Sequence, residues 1–296
     1  QVRDAVSRVS DHVDQLSFVN AELGADDGWA DAVEGCRYVL HVASPFPPTQ
    51  PKDPDELIVP ARDGAIRVVG AALDAGVERI VLTSSIASID FASGESHDRK
   101  LTPEDWTDGD SPRFSPYARS KALAEKAAWE LARERGMPER LVSVNPGAIL
   151  GPVLHPDHSF SLQLIERLLD GERAIPKLGY NVVDVRDLAV LELAAMTSAA
   201  AGGERLIATA EFTWMTEIAE ILRDRLGSDA SKVPTRNAPD FLVKLIGRFD
   251  GSVKSIVPLL GVKTEYANDL PRELLGWRPR SVEETVVDCA RSLLAE

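Results

Sequence analysis

The 296-residue chain has only two cysteines, Cys36 and Cys289. Two are too few for a disulfide framework or a zinc knuckle, and they fit a reducing, cytoplasmic compartment. Long apolar runs are missing too: none approaches the roughly 20 residues needed to cross a bilayer, so no membrane partner is expected. Basic residues are scarce. Against 47 Asp and Glu stand 33 Lys and Arg, a formal net charge of −14. That balance opposes general binding to nucleic acid or to anionic membranes. Internal repeats and low-complexity tracts are absent as well, which excludes solenoids and disordered arrays.

What is present is an alternation of strand and helix patterns over the first half. Leu16-Ser17-Phe18-Val19-Asn20-Ala21-Glu22-Leu23 alternates in the manner of a strand. Gly28 to Gly35 reads as a short helix with Trp29, Ala32 and Val33 facing in, and Cys36 packs at its end. Tyr38-Val39-Leu40-His41-Val42-Ala43-Ser44 is a buried strand, stopped by prolines. A long helix over 54–76 carries Leu57, Ile58, Ala61, Ala65, Val68, Val69 and Ala72 as its apolar stripe. A strand ends at Thr83-Ser84-Ser85, and a polar loop runs from about 90 to 115. A second long helix covers 115–136, started by Ser115-Pro116 and stopped at Gly136. Arg140 to Asn145 is another buried strand, closed by Pro146-Gly147. Beyond Gly151 helices are expected near 159–170, 186–198, 213–227, 238–247 and 281–295, and strands near 181–185 and 205–210. Strands alternating with helices predict a parallel sheet covered on both faces, with a smaller lobe interleaved at its far edge.

The chemistry is concentrated in Tyr117-Ala118-Arg119-Ser120-Lys121. A Tyr and a Lys four apart share one helix face. An ammonium held there favours the phenolate and makes the phenol a better acid. Ser85, brought in from a strand end, would complete a site that binds and protonates a carbonyl oxygen. The bland alternative is a surface Tyr and Lys on an amphipathic helix. The buried strand ending in hydroxyls and the capped helix start argue against it.

One expected element is missing. A doubly wound nucleotide-binding sheet opens with a strand, a glycine-rich turn and a helix whose N-terminus holds pyrophosphate. Gly24, Gly28 and Gly35 do not have that spacing. The expectation is that the given chain lacks an N-terminal βαβ half-unit of roughly 40–50 residues.

The chain resembles the extended short-chain dehydrogenase/reductases. Within them it is most similar to the group of dihydroflavonol reductases, cinnamoyl-CoA reductases and bacterial aldehyde/ketone reductases. The resemblance is carried by His41-Val42-Ala43-Ser44-Pro45, Lys52-Asp53-Pro54, Leu82-Thr83-Ser84-Ser85, Glu104-Asp105-Trp106 and Tyr117 to Lys121 with Ala124-Glu125-Lys126-Ala127-Ala128-Trp129. It continues through Asn145-Pro146, Gly151-Pro152, Val183 to Ala189, and Leu275-Gly276-Trp277-Arg278-Pro279-Arg280-Ser281. It implies a Rossmann-type doubly wound parallel sheet over residues 1–150 and a smaller C-terminal α+β lobe, mainly substrate-binding, over 151–296. Tyr117 becomes the general acid, Lys121 lowers its pKa and bonds the nicotinamide ribose, and Ser85 binds the carbonyl oxygen. Ala43, Ser44, Thr83, Pro146, Ala148, Ile149 and Ser161 join Tyr117 and Lys121 around the cofactor. NADPH is implied over NADH, by the family and not by any residue present. Glu22 stands where the family often has Asp near the adenine, so that contact is not assigned.

Phe46, Ile86, Ala87, Val153, Leu154, Phe160, Leu164 and Tyr180 are the candidates for an apolar substrate pocket, each as readily core. They suggest a hydrophobic aldehyde, ketone, diketone or keto ester. His155 and His158 read as a loop or pocket rim and not as metal ligands, and no metal is expected. His41 reads as a packed core histidine. Asp184 and Arg186 either brace the site's floor or act in it directly. Other readings on the same fold are a hydroxysteroid dehydrogenase, a sugar epimerase or dehydratase, and a non-catalytic redox sensor. The complete Ser85–Tyr117–Lys121 set argues against the last. A monomer or a homodimer, built through the two long helices, is expected.

Overall fold

The computed structural model describes residues 2–45, 51, 53–89, 97–154 and 160–295. Two short helices, α1 (Val2–Ser7) and α2 (Trp29–Val33), precede strand β1 (Tyr38–His41). Helix α3 (Asp55–Asp74), β2 (Arg79–Thr83), α4 (Pro116–Glu134) and β3 (Leu141–Pro146) follow, and then β4 (Ala148–Leu150), α5 (Phe160–Asp170), β5 (Gly179–Asp184) and α6 (Val185–Thr197). The chain continues through β6 (Arg205–Ala208), β7 (Phe212–Trp214), α7 (Met215–Leu226), α8 (Asp240–Ile246), α9 (Gly251–Ile256), α10 (Asp269–Leu275) and α11 (Val282–Leu294).

The main sheet has the order β1-β2-β3-β6, and every pair in it is parallel. Every residue of β3 and β6 is buried, as a parallel sheet covered on both faces requires. The period-two alternation sorts the side chains. Ile80, Leu82 and Leu141 pack on Val69, Leu73, Ala128 and Trp129 of α3 and α4. Val81, Val142, Val144 and Leu206 pack on Leu188, Leu191 and Ala195 of α6 and on Trp277. The face of α4 that meets the sheet is mostly alanine: Ala118, Ala122, Ala128 and Ala132 are fully enclosed. Small side chains let the helix sit close to the strands.

A second, three-stranded sheet has the order β4-β5-β7, with β4–β5 parallel and β5–β7 antiparallel. Its core joins Leu150, Ile165, Leu168 and Val182 to Ile218 and Leu222 of α7 and Val286 of α11. Only Gly147 separates β3 from β4, so one run of chain leaves the first sheet and enters the second. A Cβ at Gly147 would collide with the carbonyl oxygen of Asn181 on β5, so only glycine allows this crossing.

Leu16 to Leu23 forms no strand, contrary to the expectation from its alternation. A strand needs a ladder partner, and among the described residues none pairs with it. Phe18 and Val19 stay exposed, and Arg3 covers the Phe18 ring at 4.9 Å. Cys36 is exposed instead of packed. The strand expected over 38–44 ends earlier, at His41. Four short elements carried no sequence signal: β4, β7, α9 and α10. Among the described residues no helix is long and apolar enough to cross a membrane.

Candidate active site

The carboxyl ends of β1, β2 and β3 lie side by side, with His41 opposite Leu82 and Thr83 opposite Val144. In an open α/β sheet this edge is where ligands bind. Just past β2 the Ser84 N–H donates to the Val144 carbonyl at 2.8 Å, and the chain then turns through a 3-10 turn over Ile86–Ser88. Ser85 caps that turn, its hydroxyl accepting from the Ala87 N–H at 3.1 Å. Thr107 clamps the turn from outside. Its N–H donates to the Ser88 carbonyl and its hydroxyl to the Ala87 carbonyl, both at 2.8 Å.

Ser115 caps α4 by accepting from the Ala118 N–H at 3.2 Å, and Pro116 fits the first turn, where its missing N–H is not needed. This start puts Tyr117 at the helix mouth, half-buried, with its hydroxyl hydrogen-bonded to that of Ser85. Lys121 follows one turn later, its Nζ 5.9 Å from the Tyr117 ring centroid. The structure thus brings the three predicted catalytic residues together.

Electrostatics at the trio depart from expectation in one respect. Burial raises the Tyr117 pKa, and the hydrogen bond with Ser85 opposes that shift. Lys121 stands by the ring and is not what governs the phenol in the free chain. Burial instead brings the Lys121 ammonium down to about 8, against an upward pull from Glu125. His41, buried at the end of β1, is held at about 4, first by burial and then by the charge of Lys121.

One turn beyond Lys121 comes Glu125, fully enclosed, a residue of the Ala124–Trp129 motif for which the sequence implies no role. The hydroxyls of Ser84 and Ser88 lie 2.6 Å from its Oε2, and Asn145 Nδ2 donates to Oε2 at 2.8 Å. Ser143 Oγ donates to Oε1 at 2.7 Å, as does Arg205 Nε at 2.7 Å. Burial pushes the carboxyl up, but Arg205 and the hydroxyl donors pull it below the usual range. The Arg205 guanidinium lies 3.5 Å over the Trp106 ring and donates to the Pro103 and Asp105 carbonyls. A signal for this cluster existed. Ser143, Asn145 and Arg205 put polar groups on a buried strand face, and Glu125 lies on the alanine stripe of α4.

Around the trio the cofactor candidates differ. Ala43 is exposed and Ser44 half-buried just past β1, while Ala148 and Ile149 are half-buried past β3. Ser161 is half-buried in the first turn of α5. Pro146 is buried. Thr83 is half-buried, and its hydroxyl donates to Glu192 Oε1 of α6 at 2.6 Å. Small side chains at neighbouring strand ends beside one ammonium suit a flat, anionic nucleotide, so the residues present fit the nicotinamide end of such a cofactor.

The substrate candidates separate more widely. Ile86 packs with Ile89, Leu101, Ile207 and Tyr266, and Ala87 with Phe114 and Ala118. Both are core, because the capped turn points them inward. Val153 is tied to α11, its N–H donating to Ser292 Oγ at 2.9 Å. Leu154 is exposed, and Leu164 and Tyr180 lie against the core of the second sheet. Phe46 and the side chain of Phe160 lie outside the described residues, as do His155 and His158.

Asp184 and Arg186 are bracing groups. Asp184 caps α6, accepting from the Arg186 N–H at 2.8 Å, and the Arg186 guanidinium reaches Asp184 at 2.7 Å and Asp288 of α11 at 2.8 Å. Two distant motifs also meet: Trp277 Nε1–H donates to the Asp187 carbonyl at 2.9 Å and the Arg280 N–H to its carboxylate at 2.6 Å. No cluster able to hold a metal ion occurs among the described residues.

The chain is similar to known proteins. Residues 2–208 match the NAD dependent epimerase/dehydratase family. Cinnamoyl-CoA reductase CAD2 of Medicago truncatula is 31% identical over 278 residues, 92% of this chain and 79% of that protein. The NADPH-dependent methylglyoxal reductase GRE2 of Saccharomyces cerevisiae is 30% identical over 279 residues, 87% of this chain and 76% of that protein. The crystal structure of yeast methylglyoxal/isovaleraldehyde reductase Gre2 complexed with NADPH superposes with a TM-score of 0.77 at 27% identity, covering 93% of this chain and 82% of that one.

Proposed function

Because the chain belongs to the NAD dependent epimerase/dehydratase family, we propose that it is an NADPH-dependent reductase of aldehydes or ketones with Tyr117 as proton donor. The observation that carries this reading is the hydroxyl contact between Ser85 and Tyr117 beside Lys121, at the ligand-binding edge of the sheet. The preference for NADPH over NADH rests on the reductases the chain is similar to, one of them solved as an NADPH complex.

When bound, NADPH supplies a hydride to the carbonyl carbon. The chain's own part is to orient and polarise. Ser85 donates a hydrogen bond to the carbonyl oxygen. Tyr117 donates a second, so the two hydroxyls meet the negative charge that grows there. The raised pKa of Tyr117 keeps the phenol protonated before reaction, which a donor needs. The Lys121 ammonium, held beside it, favours the phenolate left after proton transfer. Ala43, Ser44, Ala148, Ile149 and Ser161 border the cofactor, with Pro146 supporting the last strand end.

Residues 1–150 serve chiefly the nucleotide and 151–296 chiefly the substrate. The substrate is a small hydrophobic aldehyde, ketone, diketone or keto ester. The cytoplasm is the proposed compartment and a monomer or homodimer the proposed state, which light scattering reads directly. The net charge of −14 speaks against nucleic-acid or anionic-membrane partners.

The test is consumption of NADPH, with NADH in parallel, against aromatic aldehydes, diketones and keto esters. Turnover is expected with NADPH. Tyr117→Phe is expected to lose roughly 10²–10⁴-fold in kcat while still binding nucleotide, the range for removing a general acid. Near-normal turnover in that variant removes Tyr117 from the role. Absence of turnover with either nucleotide, despite binding, shifts the assignment to the epimerase chemistry of the same family.

A further inference from the structure

Glu125 is tied to the elements that carry the trio. Tyr117, Lys121 and Glu125 recur at intervals of four on α4, so they share one face of the helix. From that face the Glu125 carboxylate reaches the turn that carries Ser85, through Ser84 and Ser88 on either side of it at 2.6 Å. It also reaches β3 through Ser143 and Asn145 and β6 through Arg205. Asn145 adds a direct tie, its Nδ2 donating to the Ser85 carbonyl at 3.2 Å and to Ser88 Oγ at 3.0 Å. A fully enclosed carboxylate is costly unless every lone pair is used, and here they are used on the elements that bear the site.

We infer that Glu125 is a positioning residue of the reductase site: its hydrogen bonds fix the reach from Ser85 to Tyr117, and its charge stands behind Lys121. The inference rests on the reductase reading in naming Tyr117 as the donor.

The groups around Lys121 decide how this can be seen. Tyr117 and Glu125 face it from its own helix and His41 faces it from β1. Glu125 is the anion among them and pulls the ammonium's pKa up against burial. Arg205 lies on the far side of Glu125, 2.7 Å from Oε1. Removing the carboxylate therefore lets Lys121 titrate lower. Arg205→Lys keeps a cation against the carboxylate, so Glu125 stays charged and Lys121 keeps its midpoint. A residue that merely held the fold would not separate the two partners of one ion pair in this way.

The experiment uses the natural full-length protein and compares Glu125→Gln with Arg205→Lys. Lys121 is titrated by NMR of reductively methylated lysines, assigned with a Lys121→Arg reference. Thermal midpoints and kcat with NADPH are measured on the same samples. The expected result is a downward move of the Lys121 midpoint in Glu125→Gln, none in Arg205→Lys, and a kcat for Glu125→Gln lower by roughly 10²-fold, the cost of about 1 Å of misplacement. Equal moves in both variants, or an unchanged kcat in a folded Glu125→Gln, overturn it. If Glu125→Gln does not fold, Ser88→Ala, which removes one tether and leaves the ion pair, takes its place. Its kcat is expected to fall with Lys121 unmoved, and an unchanged kcat overturns the inference. The titration needs neither nucleotide nor substrate. Natural full-length protein without carbonyl turnover therefore sinks the reductase reading, while the titration still judges Glu125.

Discussion

The centre of the core between the three-stranded sheet and its helices is hydrocarbon, with Ile165, Leu168, Val182, Ile218, Leu222 and Val286, while the buried Asn181, Asp184 and Thr213 make up the polar part of its strands. At the strand ends of the four-stranded sheet the enclosed side chains are Ser84, Ser88, Glu125, Ser143, Asn145 and Arg205. Apolar packing is non-directional and fixes volumes. Hydrogen bonds to a carboxylate have set lengths and angles, and they fix which side chain faces which. The lobe has charged groups too, but it keeps the Asp184–Arg186–Asp288 brace at the junction of α6 and α11 and not in its centre. A polar core is the costlier choice, and it stands where Ser85 and Tyr117 must meet.

Damage to the two cores should then read differently. Arg205→Met leaves the Glu125 carboxylate buried and uncompensated, and about 3–5 kcal/mol of stability should go. Ile218→Ala, at the centre of the lobe, should cost about 2–5 kcal/mol through its cavity. Urea unfolding measures both. The contrast lies in turnover at a temperature where both variants are folded: Arg205→Met should lose kcat, and Ile218→Ala should keep it. Equal effects on kcat would erase the distinction between the two regions.

The next effect is confined to acid. His41 is held at about 4 against an ordinary 6.5. The unfolded chain therefore binds this proton first, and the stability it contributes is complete above about 6.5 and lost as pH falls towards 4. The loss amounts to about 3 kcal/mol. Unfolding curves at several pH values in this window should show a gap between wild type and His41→Asn that closes on acidification. A gap constant with pH would mean that folding does not shift the imidazole's pKa.

Smallest of all should be Arg225→Ala. Its partner Glu283 bridges α7 to α11 at the lobe surface, with both side chains about half exposed. Exposed pairs contribute less than about 1 kcal/mol and are screened by salt. A thermal midpoint that falls by more than a few degrees would show that surface charge matters to the lobe beyond this.

The longer helices were legible because their signals are local. Ser115 and Ser281 each cap a helix start by accepting a backbone N–H three residues on, at 3.2 Å in both cases. The short β4, β7, α9 and α10 hold too few residues for a period to show. Leu16 to Leu23 had the period without a neighbouring strand to pair with. At the site, Ser85, Tyr117 and Lys121 could be read because two of them lie one helical turn apart and the third ends a strand. Glu125 and Arg205 each stood on an otherwise apolar face, but no spacing shows that two residues 80 positions apart pair. Ile86 and Ala87 lost their place in the pocket to a turn whose inward direction no spacing encodes.

The sequence by itself determined the elements and the order in which they line one sheet edge, since caps, stripes and periods act over a few residues. It also determined which side chains could do carbonyl chemistry. Only the tertiary structure decided their protonation and their mutual reach. Ser84 meets Glu125 across 41 positions of sequence and Arg205 meets it across 80. Burial and charge–charge interactions depend on distance in space, and folding alone brings those residues within reach.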